Sequence, residues 1–191
     1  MSWRFNQIED YLKNNLTEKR YRHTLGVVAT AEHLAIQHGV DVNDAKLAGL
    51  LHDVAKEMEI QAVGEMLRSH RDVDYLNHSQ KVWHAPVGAY VAKEKFGIEN
   101  EGVLNAIRYH TTGRSAMTPL EKVIFVADYT EPNRTYEGCV HVRDLWSDLD
   151  QAVCEILRQK VEKVQAASKG MHPDTLAAYE YYVQVVNKKG S

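Results

Sequence analysis

The stretch Ala48-Gly49-Leu50-Leu51-His52-Asp53-Val54-Ala55-Lys56 decides how this chain is read. It is an apolar helical run that ends by presenting an imidazole and a carboxylate side by side, with Lys56 one turn further on. Neighbouring helical residues point about 100° apart, so His52 and Asp53 cannot chelate as an i,i+4 pair does; both can still reach an ion lying beside the helix end. Such a site needs ligands from other helices. A carboxylate carried toward the core behind Leu50 and Leu51 likewise needs a partner or a cation. The stretch therefore asks for a helical bundle around it.

Upstream, Phe5, Ile8, Tyr11 and Leu12 give a short amphipathic helix over residues 5–14, and Thr17 caps a longer one that runs to His38 and stops at Gly39. On this second helix Tyr21, Leu25, Val28 and Ala35 form one apolar face, while His23 lies nearly opposite with Val27, Thr30 and Leu34. A helix apolar on two sides sits inside a protein, so His23 is expected to be buried or at the floor of a cleft. Either a backbone carbonyl satisfies it or it serves a site. Asn43 or Asp44 is expected to start the third helix, whose Leu47, Leu50, Leu51 and Val54 lead into the His-Asp pair. Residues 60–69 form another helix, and the polar segment 69–81 reads as a loop or a break.

Downstream, His84 opens a helix with Pro86 in its first turn and Val87, Tyr90, Val91 and Phe96 on its buried side before Gly97. At that position it is either a flanking residue or a functional one. A helix over 100–109 ends in Tyr109-His110-Thr111-Thr112-Gly113, a turn with free hydroxyls that either holds phosphate oxygens or is merely a turn. Thr118-Pro119-Leu120-Glu121 is a cap, a first-turn proline and a capping-box glutamate. In the apolar helix that follows, Asp128 is the sole acid, so it needs a buried cationic partner or a metal ion. The loop from Tyr129 to Arg134 then brings a guanidinium over the same cleft. Leu149, Val153, Ile156, Leu157, Val161 and Val164 mark a long amphipathic helix, Pro173 starts the last one, and 168–172 reads as a loop able to fold over the cleft. No segment keeps a period of two and no repeat is present, so the expected fold is all-α, with one domain over residues 1–191.

Bulk composition excludes several classes. The 44% of hydrophobic and 26% of charged residues are the balance of an ordinary globular chain with one sizeable core. A net charge of −3, with acids interleaved among the bases, argues against holding nucleic acid by bulk electrostatics. Two isolated cysteines, Cys139 and Cys154, make neither a disulfide framework nor a cysteine-rich zinc site, and they fit a reducing compartment. The charged N-terminus is no signal peptide and no stretch is long enough to span a membrane, so a cytoplasmic protein is expected. The ten histidines direct attention to which of them converge.

His23, then His52-Asp53, then Asp128, each on a different core helix, is an arrangement that resembles the HD superfamily of metal-dependent phosphohydrolases. More specifically, Arg20-Tyr-Arg-His23-Thr-Leu-Gly-Val27, Leu50-Leu-His-Asp-Val-Ala-Lys56, Trp83-His84-Ala-Pro-Val-Gly88, Tyr109-His110-Thr-Thr-Gly113 and Ile124-Phe-Val-Ala-Asp-Tyr-Thr-Glu-Pro-Asn-Arg134 are similar to the bacterial YqeK family, nearly end to end. The resemblance implies an HD-domain helical bundle and symmetrical hydrolysis of diadenosine tetraphosphate to two ADP through a metal-activated water. It implies a divalent metal on His23, His52, Asp53 and Asp128, with iron favoured, and it suggests a homodimer.

Two imidazoles with two carboxylates suit iron or manganese as well as zinc and leave positions open for water and substrate. Asp53 would also orient the attacking water, while Lys56 and Arg134 would stabilise charge on the phosphate, the first as a point charge and the second as a fork. His84 and His110 fall where di-metal members carry ligands for a second ion, and they are read either so or as contacts to the polyphosphate. Thr111 and Asp128 are further candidates to touch the nucleotide, and Met171, His172 and Thr175 are candidates for its base end. Alternative readings are an HD phosphohydrolase of a nucleoside monophosphate or guanosine alarmone and, from another class, a nucleotide sensor without turnover. The sensor would need a broken ligand set, and here all four positions are filled.

Overall fold

The structure, a computed structural model, describes residues 4–166 and 170–189. Its helices are α1 (Phe5–Asn15), α2 (Glu18–His38), α3 (Val42–Leu51), α4 (Ile60–Ser69), α5 (His84–Phe96), α6 (Glu101–Tyr109), α7 (Pro119–Thr130), α8 (Glu137–Arg143), α9 (Leu149–Ala166) and α10 (Pro173–Lys189). Among the described residues there is no strand, so the chain is all-α. No helix among them is long and apolar enough to cross a membrane.

Short polar side chains start the helices that carry the site. Thr17 accepts from the Arg20 amide at α2, Asn100 from the Gly102 and Val103 amides at α6, and Thr118 from the Glu121 amide at α7, where Pro119 fills the first position. At α3 the cap is Asp41, which accepts from the Asp44 amide, so this helix begins earlier than the expected Asn43 or Asp44. Gly39 ends α2 with φ 65°, a left-handed conformation that suits glycine. Glu57, just after the His-Asp turn, accepts from the Thr17 amide at 2.6 Å and from its hydroxyl at 2.7 Å, tying the start of α2 to the end of α3.

Helix α7 is the hub, packed against α2, α3, α6 and α9. Its Val123, Ile124, Phe125, Val126 and Ala127 are all buried, because every side of it meets another helix. α2 turns its His23, Val27, Thr30 and Leu34 side inward, whereas Leu25 of the other apolar face is 38% exposed. Two further expectations are corrected. Helix α7 continues through Tyr129 and Thr130, which read as loop, and α8 is unforeseen because only Cys139 and Val142 of its seven residues are buried. The 69–81 segment contains two short 3₁₀ turns, Val73–Asn77 and Gln80–Val82. Residues 168 and 169 of the expected cleft loop lie outside the described residues.

This topology gathers helix ends. His52 and His110 are the residues on which α3 and α6 finish, Asp128 is in the last turn of α7, His84 opens α5, and His23 is near the start of α2. Three helix C-termini, each carrying partial negative charge, thus converge on one place that favours a cation.

Candidate metal centre

His23, His52, Asp53 and Asp128 meet tip to tip. The His23 Nε2 lies 3.1 Å from Asp128 Oδ1, 3.6 Å from Asp53 Oδ2 and 3.3 Å from His52 Nε2. The His52 Nε2 is 3.4 Å from Asp53 Oδ2 and 3.9 Å from Asp128 Oδ1. His52 and Asp53 are 0% and 2% exposed, so water cannot compensate either group.

What lies behind each ring fixes which nitrogen faces the centre. His52 Nδ1 is 2.6 Å from the Gly49 carbonyl, an acceptor, so this nitrogen donates and Nε2 presents a lone pair. His110 repeats the device with its Nδ1 2.7 Å from the Ile107 carbonyl. His23 uses a carboxylate instead: its Nδ1 is 3.2 Å from Glu131 Oε1, and the other oxygen of Glu131 accepts from the backbone and side chain of Asn133. Nε2 of two imidazoles and one oxygen from each of two carboxylates therefore converge on a common centre, where, against the effect of burial, Asp53 and Asp128 raise the pKa of His52 and so favour positive charge. Such a set repels itself unless a cation lies between its members, and histidines backed by carbonyl or carboxylate suit a metal. The donor set fits a divalent cation.

Charge is balanced from behind as well. Arg20 donates to Asp53 Oδ2 at 2.8 Å and Arg134 to Asp128 Oδ1 at 3.1 Å. Burial alone would raise both carboxyls, yet the surrounding imidazoles, together with Arg134 at Asp128, hold both well below the usual carboxylate range. The other oxygen of Asp53 faces a second group. Its Oδ1 is 3.2 Å from His84 Nε2 and 3.6 Å from His110 Nε2, and those two nitrogens are 3.2 Å apart. Burial, opposed by the bond to Asp53, pushes His84 down to about 4, and burial lowers His110 too.

This second group contains donors. Thr111 Oγ1 stands 3.3 Å from His84 Nε2 and 3.1 Å from His110 Nε2, and Lys56 Nζ stands 3.3 Å from both ring nitrogens of His84. Burial holds the Lys56 ammonium below its ordinary value, although Asp53 opposes this. Of the two threonine hydroxyls in the turn only Thr111 faces the cluster; the Thr112 hydroxyl is buried without a partner.

Among the described residues no hydrogen bond, ion pair or ring contact joins Met171, His172 or Thr175 to the cluster, and these candidates for the base end pack locally. The His172 ring packs 4.7 Å from Tyr75 and 4.6 Å from His78, Thr175 is buried, and Met171 is half-buried. Three residues that sequence reasoning gave no role do reach the site: Arg20, Glu131 and Lys160. Lys160, partly buried on α9, gives its amine to the Thr111 carbonyl at 2.6 Å, and desolvation lowers its pKa to about 8. Glu131 is 2% exposed, and Gly26 makes room for it, since a Cβ at Gly26 would lie 2.5 Å from Glu131 Oε2.

The family model described as the HD domain matches residues 20–133, the span from Arg20 to Asn133 that contains the whole cluster. The chain belongs to the HD domain family. Curated relatives include a "Bis(5'-nucleosyl)-tetraphosphatase, symmetrical" from Bacillus subtilis, 41% identical over 90% of this chain and 94% of that one. A protein of the same name from Halalkalibacterium halodurans is 43% identical over 88% of this chain and 91% of that one. Among solved structures, a protein from Clostridium acetobutylicum described as a predicted HD superfamily hydrolase involved in NAD metabolism superposes with a TM-score of 0.91. It is 38% identical, and the match covers 96% of this chain and 99% of that one.

Proposed function

We propose that this HD domain protein is a metal-dependent hydrolase that splits diadenosine tetraphosphate at its centre into two ADP. The observation that carries the reaction class is the cluster of His23, His52, Asp53 and Asp128, whose ring nitrogens and carboxylate oxygens converge on one point. The substrate follows from the likeness, over about nine-tenths of the chain, to relatives named symmetrical bis(5'-nucleosyl)-tetraphosphatases.

His23, His52, Asp53 and Asp128 would hold the divalent cation, and the mixed nitrogen and oxygen donors suit iron, with manganese as a substitute. When bound, it supplies Lewis acidity to a phosphoryl oxygen and to the attacking water. Asp53 orients that water and links the two halves of the cluster. Arg134, whose guanidinium already lies on Asp128, and Lys56, beside His84, meet the negative charge that grows on phosphate oxygens as the bridging P–O bond breaks. Thr111 donates its hydroxyl to a phosphate oxygen, held in place by Lys160 on its carbonyl. His84 and His110, uncharged at neutral pH, line the path of the polyphosphate.

Purified protein supplied with Fe²⁺ or Mn²⁺ is expected to convert diadenosine tetraphosphate to ADP alone, read by chromatography. ATP plus AMP would reject central cleavage. Faster turnover of a nucleoside monophosphate or a guanosine alarmone in the same panel would reject the substrate. Nucleotide binding with no turnover would return the protein to a sensor.

A further inference from the structure

Beside His23 lies a cleft of about 510 Å³ that holding a metal does not require. Its size falls within the roughly 300–1,000 Å³ of small-molecule sites. Lys19, Arg20, Arg22 and Arg134 line it, against the two carboxylates of Glu18 and Glu131. Neither acid neutralises the interior, because Glu131 is turned onto His23 and Asn133, and Glu18 pairs with Arg22 at the rim, where both side chains are more than 70% exposed. Among the described residues Lys19 has no ion-pair partner.

The two inner guanidiniums are anchored at the back of this cleft. Arg20 gives one N–H to Asp53 and Arg134 gives one to Asp128, and each planar fork has further donors. No Phe, Tyr or Trp lines the cleft, so stacking of a base is left to guanidinium and imidazole planes, which do not tell one base from another. At the other end of the cluster, beyond Asp53, a smaller hollow of about 250 Å³ runs along Lys56, Met58, Ile60, Lys81 and His84. The donor cluster thus has an opening on each side, and the larger one is cationic.

A tetraphosphate cut between its second and third phosphorus leaves one diphosphate arm on each side of the broken bond. A single opening accommodates only one of them. We propose that the cleft of Lys19, Arg20, Arg22 and Arg134 is the second nucleotide subsite, taking a nucleoside diphosphate arm by its phosphates and leaving its base unread. The other arm lies along Lys56, His84 and Thr111. This assignment rests on the hydrolase reading above.

The test is the double variant K19E/R22E, which changes two exposed side chains that touch none of the cluster. With diadenosine tetraphosphate and Mn²⁺-loaded protein, KM is expected to rise roughly tenfold or more while kcat and metal content hold. Calorimetric titration with ADP is expected to find two sites per chain in the parent and one in the variant. A substrate with adenosine at one end and another base at the other is expected to be cut about as fast as the diadenosine compound. Unchanged KM together with unchanged ADP stoichiometry would overturn the subsite, and strong discrimination at both ends would overturn its indifference to the base. If the parent makes no ADP, the hydrolase reading falls by itself. The ADP titration still decides whether this cleft holds a nucleoside diphosphate.

Discussion

The two oxygens of Asp53 look onto unlike halves of one cluster. On the Oδ2 side stand His23, His52 and Asp128, their rings backed by Glu131 or a main-chain carbonyl and the two carboxylates met by the guanidiniums of Arg20 and Arg134. On the Oδ1 side stand His84 and His110, joined by the Lys56 amine and the Thr111 hydroxyl. Ring nitrogens and carboxylates gathered in this way suit a cation. A mixed set of acceptors and donors also receives phosphate oxygens. On the proposed function, the four histidines divide between two tasks according to what lies around them.

The largest expected effect breaks the first half. H52A or D53N should leave the protein without bound metal, by elemental analysis, and without ADP formation, because each removes an acceptor that the others cannot replace. E131Q comes next: losing the carboxylate behind His23 is expected to cost about 10- to 100-fold in metal affinity while turnover at saturating metal recovers. G26A should reproduce it, since its Cβ displaces Glu131. An unchanged affinity in both would show that His23 needs no such support.

H84A and H110A sharpen the contrast from the other side. Each is expected to raise KM by about tenfold with the metal content per chain unchanged. Two metals in the parent falling to one in H110A would instead make the halves alike. The smallest effect is a remote control, D150N. Burial would raise the Asp150 carboxyl, but Lys122 and Lys189 outweigh it and hold the group below its ordinary range. Its stabilisation is therefore complete above the ordinary carboxylate pKa of about 4 and is lost as pH falls through the lowered value. D150N should cost about 1 kcal/mol in thermal melts at pH 7, fade toward acid, and leave KM and metal content alone.

Much of this was legible in the residues. The apolar patterns of α2, α3 and α7 carry His23, His52-Asp53 and Asp128 inward, and burial of a polar group among Leu, Val and Ala is a local property that spacing reveals. What spacing hides is contact across the chain. Glu131 meets His23 over 108 positions, and Lys160 meets Thr111 over 49. Glu131 looked like one polar residue of a loop, and Lys160 like the solvated side of a long amphipathic helix. Gly26 has no side chain to announce its contact, and only the place of Glu131 gives it a role. The one available hint for Arg20 and Glu131 was their presence inside the quoted motifs, which gave them no role. α8 escaped because two buried side chains set no periodicity.

The bonds that the Thr17 amide and hydroxyl give to Glu57 have a mechanical corollary. They rivet the beginning of one rod to the far tip of the next, so the distance between the first histidine and the doublet is set by the frame rather than by the ion. Loading should consequently find its seat already shaped.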